Sequence, residues 1–161
     1  MKLLLVACLS LVISAERVVS LQQARSAFEK AAVNEQIGAD FLTKVTFPPN
    51  NVLLGYKGAV TMIMAKHAFS PLKKLEYFNQ GRAILEQALK AEPNNIELRY
   101  LRFSIQCNSP SFLGYYEEKK SDKVILLQEI SRIADIELKR KITQYLLQCS
   151  ELTAQEKLAL R

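Results

Sequence analysis

An all-α protein of antiparallel helical hairpins is the fold class this sequence predicts, and three observations predict it. Apolar residues recur every three or four positions in segment after segment, and no stretch alternates as a half-buried strand would. Ser, Asn, Asp and Thr stand just before these segments, where their side chains would cap helices. The 161 residues include only five Gly and five Pro, with no Gly-rich or Ser-rich linker. A chain of this length with 49% apolar residues is one domain's worth and can bury a core without staples. Residues 16–161 therefore read as a single α-helical domain of about seven or eight helices.

The segment before it has a different character. "MKLLLVACLSLVISA" places Lys2 ahead of an apolar run from Leu3 to Leu9, which resumes after Ser10 and ends in small residues at Ser14 and Ala15. This is the form of a secretory signal peptide, too short to span a bilayer in the usual way, with cleavage expected after Ala15. A buried first helix is the alternative. Glu16 and the helix-start signal at Ser20 restart the pattern and favour the leader. "LVAC", Leu5 to Cys8, is similar to a bacterial lipobox, but few residues precede Cys8 and the apolar run continues past it. Both features argue against a lipid anchor at Cys8. The expected location is outside the cytoplasm, periplasmic or extracellular.

The elements follow in order. Ser20 and Gln23 form a capping-box pattern, and Leu21, Ala24, Phe28 and Ala31 predict a first helix from Leu21 to about Val33. Asn34 caps a short second helix through Phe41 and Leu42, which "FPPN" (Phe47 to Asn50) ends because neither proline can continue it. The next helix, Asn51 to Phe69, is nearly apolar all round, which places it at the centre of a domain. Lys57, Thr61, Lys66 and His67 within it argue against a membrane span. A helix from Leu72 to Lys90 follows Ser70-Pro71, with Glu86 and Lys90 as an exposed pair four residues apart. Ile96, Tyr100, Phe103 and Cys107 mark another helical face. Ser121 is expected to cap a helix with Val124, Leu127, Ile130 and Ala134 inward. Asp135 caps one with Leu138, Ile142, Tyr145 and Cys149 inward. Thr153 and Glu156 form a second capping box.

One hairpin carries a resemblance. In "GRAILEQALKAEPNN", Gly81, Leu85 and Pro93 have the spacing of the small, large and proline positions that close a tetratricopeptide repeat. "LGYKGA" (Leu54 to Ala59) resembles the first-helix Leu-Gly of such a repeat, but lies fourteen residues early. Ser70-Pro71 would interrupt a standard first helix. No second copy appears at the repeat period. The chain thus resembles the tetratricopeptide-like superfamily in one enlarged hairpin, and that resemblance implies a right-handed array of hairpins. As a whole it also resembles small secreted bacterial proteins that carry the "LGYKGA…AKHAFSP" and "LRFSIQ…FLGY" segments. That likeness implies export and a helical fold, and no activity.

Charge and motifs exclude several function classes. Lys and Arg number 22 against 16 Asp and Glu, a formal net charge of +6, and the cations are scattered. Nucleic acid usually needs a denser stripe, so "EEKK" and "LKRK" read as solvated helix faces. His67 is the single histidine, and no zinc spacing or Cys-x-x-Cys occurs, so no metal and no cofactor is expected. No nucleophile elbow, phosphate-binding loop or His-Glu-x-x-His motif is present. The carboxylates fall at caps and helix surfaces, so no catalytic residue can be named. Beyond the leader, Cys107 and Cys149 sit on apolar faces near helix ends. In an oxidising compartment they could pair, but those positions favour two buried free thiols.

One region stands out for binding. Arg99, Arg102 and Gln106 share a helix face and lead through Asn108 into Phe112, Tyr115 and Tyr116. Arg and Tyr are enriched in binding hot spots, so this surface is the expected contact for a protein or peptide partner or an acidic group. The competing expectation is that the aromatic rings cap the core and the arginines are merely solvated. The function expected is an exported, non-catalytic helical module that binds a protein or peptide. Two alternatives are a carboxylate-dependent hydrolase of an envelope carbohydrate or peptide, and a structural component of an envelope assembly.

Overall fold

Seven of the eight helices among the described residues form where a polar side chain can catch the first free backbone N–H groups. In the computed structural model, which describes residues 19–160, Ser20 and Gln23 close a reciprocal capping box that opens α1, Leu21–Ala31. Asn34 caps α2, Glu35–Lys44, and Asn50 caps α3, Asn51–Met64. Ser70 caps α4, Pro71–Ala91, where Pro71 occupies a first-turn position that needs no N–H. Asn95 caps α5, Ile96–Asn108. α6 is Lys119–Glu129, flanked by 3-10 turns at Ser111–Leu113 and Ile130–Arg132. Asp135 caps α7, Ile136–Gln148, and a second capping box, Thr153 with Glu156, opens α8, Ala154–Leu158. The described residues hold eight α-helices and no strand. The signal-peptide segment, its cleavage point and Cys8 lie outside the described residues.

Helix α3 is the centre, as its all-round apolarity predicts. It touches α1, α2, α4 and α5 and buries Leu53, Tyr56, Ala59, Val60 and Met62. Its closest partner is α4, and the two backbones meet at Gly58 and Gly81. A Cβ on Gly58 would stand 2.5 Å from the Leu85 N and 2.7 Å from the Gly81 carbonyl oxygen. A Cβ on Gly81 would meet the Gly58 oxygen at 2.5 Å. Those distances are too short for any side chain, so glycine at both positions is what lets the hairpin close. Leu85, Leu98, Leu101 and Phe103 complete the buried centre, at about 1.5–3 kcal/mol for each fully buried side chain. Tyr145 of α7 lies edge-on to Tyr100 and Phe103, with centroids 5.6 and 6.2 Å away, which seats α7 on α5.

Three sequence expectations are corrected. Helix α3 ends at Met64 rather than Phe69. The N–H groups of Ala65, Lys66 and His67 turn back to carbonyls three residues earlier, which tightens the chain toward the Ser70-Pro71 start of α4. His67 reaches across so that its Nε2 lies 2.7 Å from the Ala31 carbonyl oxygen. Helix α6 starts at Lys119, without a side-chain cap. Ser121 lies inside its first turn and donates to the Glu118 carbonyl. Of the residues expected inward, Ile130 is buried and Leu127 packs against the core, but Val124 and Ala134 are exposed, and α6 buries Asp122 and Leu126 instead. A buried carboxylate is invisible to apolar periodicity, which marks only the apolar residues beside it.

Candidate functional site

The predicted binding surface is built around a residue that the sequence analysis did not single out. Asp122, on the first turns of α6, is completely buried. Arg102 of α5 grips it with two bonds, Nε to Oδ2 at 2.7 Å and Nη2 to Oδ1 at 2.9 Å. Arg99, one helical turn earlier, donates Nη1 to Oδ1 at 2.8 Å. Arg102 also donates Nη1 to Glu86 of α4 at 3.2 Å. Tyr115 donates its hydroxyl to the other oxygen of Glu86 at 2.5 Å. This replaces the expected pairing of Glu86 with Lys90 on the outer face. Helix spacing explains the geometry: residues 99, 102 and 106 stand on one face of α5, and that face meets α6 and α4 rather than water.

Electrostatics follow from this packing. Burial works against the Arg102 charge, but the hydrogen bonds to Asp122 and the negative charges of Asp122 and Glu86 more than offset it, so its pKa is raised. Burial and the bond to Glu86 raise the Tyr115 phenol, which stays protonated and a donor. The arginines that the sequence offers as a solvent-facing cationic surface are therefore already occupied by carboxylates of their own chain. Arg102 is 8% exposed and Gln106 is 3% exposed.

The remaining predicted residues separate into two groups. Tyr115 is buried, with its ring edge-on to Phe78 at 5.8 Å and the Arg82 guanidinium 4.7 Å from the ring centre. Asn108 closes α5, donating Nδ2 to the Ser104 carbonyl at 2.8 Å and to the Tyr145 hydroxyl at 3.1 Å. Phe112 and Tyr116, by contrast, are 84% and 55% exposed. They lie on either side of Gly114, whose φ of +60° is the left-handed conformation that glycine adopts without penalty. That turn sends Tyr115 inward while its two aromatic neighbours stay in solvent.

Two grooves open on either side of Asp122, and the two arginines face different ones. Arg102 lines a polar cleft of about 200 Å³ with Arg82, Glu86, Gln106, Tyr115 and Glu118. Behind its wall, Gln106 Oε1, Ser104 Oγ and Arg99 Nε are buried without a hydrogen-bond partner. Arg99 lines a wider, more apolar groove of about 490 Å³, with Ile96, Ile125, Glu129 and Ile133. The sequence offers none of Arg82, Glu86, Glu118 and Asp122 as a site residue, and it marks Glu86 and Glu118 as solvated surface charges. Their types are ordinary on helix surfaces, and only the packing of three helices brings them together.

The carboxylates can be tested against acid–base chemistry. Backbone N–H groups, Asn side chains, Arg25 and Lys123 hold Glu92, Asp135 and Glu156 below their usual range. A general acid needs the opposite shift. Asp122 and Glu97 are not at helix surfaces, as expected, but buried against arginines. No group of three or more His, Cys, Asp or Glu gathers as a metal site among the described residues. In that same part of the chain, no helix is long and apolar enough to cross a membrane. No protein-family model, curated protein or solved structure matches the chain.

Proposed function

We propose that this chain is an exported, non-catalytic helical module that binds a protein or peptide partner in the bacterial envelope. In this reading the helices form a right-handed, tetratricopeptide-like array, with the α3–α4 hairpin as its single degenerate repeat. The observation that carries the proposal is the pair of solvent-facing rings, Phe112 and Tyr116, beside a polar cleft lined by Arg82, Glu86 and Tyr115. Rings held outward by a Gly turn offer apolar area at little entropic cost, and aromatic side chains are enriched in binding hot spots. The binding face is thus the 112–116 segment and the cleft. Arg99 and Arg102 act behind it, holding α6 and Glu86 in place.

That division decides how the reading is tested. Removing both arginines would strand Asp122 and damage the fold, so their loss says little about binding. The informative variant is Phe112→Ala with Tyr116→Ala, because neither ring is buried. Tagged protein is crosslinked in intact native envelopes, and what it captures is identified by mass spectrometry. One dominant partner should be captured by the wild type and lost by the double variant. The circular dichroism and the melting midpoint should be unchanged, since exposed substitutions shift stability by about 0.5 kcal/mol or less. Capture that survives the double variant would remove the proposed face.

A further inference from the structure

Cys107 and Cys149 are separated by 42 positions and stand at the ends of different helices. Cys107 is in the last turn of α5, and Cys149 is the C-cap of α7. The fold brings their sulfurs to 3.8 Å. Both are free thiols, with Cys149 buried and Cys107 half-buried. Contact at that range is about 1.8 Å longer than a covalent S–S bond, a gap that side-chain rotation and a small shift of the two helix ends can close. Both cysteines lie at helix ends beside exposed residues, Asn108 after Cys107 and Ser150 and Glu151 after Cys149.

We propose that Cys107 and Cys149 are a reversible dithiol–disulfide site, oxidised by disulfide-bearing thiol oxidants. Cys107 is the entry point because it is the more accessible sulfur. Its thiolate attacks one sulfur of the oxidant, forming a mixed disulfide and releasing the oxidant's other half as a thiol. The Cys149 thiolate then attacks the Cys107 sulfur, forming the Cys107–Cys149 bond and expelling the second thiol. The protein gives up two electrons and two protons, and one oxidant disulfide becomes two thiols. Burial and the neighbouring sulfur push the Cys107 thiol up, so the first step is slow near neutral pH and quickens as pH rises. The closed loop contains the 109–118 segment, α6 and Asp122, so oxidation would staple the base of the exposed aromatic segment to α7. The chemistry is independent of whether that segment binds a partner.

The test uses the full chain, folded, incubated with oxidised glutathione at mildly alkaline pH. It is then blocked with maleimide in denaturant and mapped by digestion and mass spectrometry. The expected product is a Cys107–Cys149 linked peptide, about 2 Da lighter than the two reduced peptides together. Its formation should raise the melting midpoint by about 5–10 °C, reversibly with dithiothreitol. In Cys149→Ser, oxidation should stop at a glutathione adduct on Cys107. The proposal is overturned if the folded wild type stops at that adduct, keeps both thiols open to maleimide, or links either one to Cys8.

Discussion

Two buried arginine–carboxylate centres hold this protein together, and they differ in what they face. In the first, Arg25 of α1 makes a two-pronged bond to Glu97 of α5 at 2.7 and 3.0 Å. Tyr56 of α3 donates to the same carboxylate at 2.7 Å. Arg25 reaches on to Asp135, the N-cap of α7, at 2.8 Å. In the second, Arg99 and Arg102 share Asp122, and Arg102 and Tyr115 share Glu86. The first joins four elements far apart in the chain and is nearly sealed from solvent on the Arg25 and Glu97 side chains. The second joins neighbours in sequence and opens onto two grooves. Similar chemistry thus has two uses. Buried ion pairs add little net stability over apolar packing, but they penalise any arrangement that leaves a charge alone. In the first centre the excluded arrangements are wrong placements of α1 and α7. In the second, the fixed quantity is the position of the aromatic segment.

Substitutions can break or sharpen that contrast, and the largest effect should come from Asp122→Ala. It leaves two arginines facing each other in a dry site, and a loss of about 3–5 kcal/mol is expected in urea unfolding. A loss under about 1 kcal/mol would mean the second centre is wetter than its burial implies. Glu97→Gln should cost less, about 2–3 kcal/mol, because Arg25 keeps Asp135 and the amide still accepts from Tyr56. If it proves the costlier change, the sealed centre rather than Asp122 is the principal clamp.

A smaller effect concerns pH. Asp135 is held below its usual range, first by the Leu138 N–H and next by Arg25. Because its folded pKa is depressed, the stability it contributes is present above its unfolded value of about 4 and is lost as pH falls through the folded value. Asp135→Asn keeps a capping side chain but removes the titration. The variant's melting midpoint should therefore fall less than the wild type's between about pH 6 and pH 3. Equal slopes would show that neither the Leu138 N–H nor Arg25 holds this carboxylate below its unfolded value. The smallest structural effect is expected from the Phe112→Ala and Tyr116→Ala pair, whose consequence should lie in capture alone.

Much of the fold was legible because its signals are local. Capping side chains and apolar spacing act within one turn of helix, so six predicted helix starts agree with the structure: Ser20, Asn34, Ser70, Asp135, Thr153 and the Asn50–Asn51 start of the central helix. The inward face of α6 differs because one of its inward positions is an aspartate, and apolar spacing cannot register a carboxylate that buries itself against two arginines. The candidate site was legible in part. The spacing of Arg99, Arg102 and Gln106 correctly placed them on one face. It did not reveal that α6 and α4 cover that face.

By itself, the sequence determined the helical class, most of the helix starts, the central place of the α3 segment and the small residue at Gly81 on which the α3–α4 hairpin closes. These depend on backbone propensity, capping and the size of single side chains, which any short window contains. Tertiary structure alone decided which charges went inside, which of three aromatic rings stayed in water, and that Cys107 and Cys149 would touch. Those outcomes depend on partners tens of positions away. A charge is buried only when its complement arrives with it, and no local pattern records whether that happens.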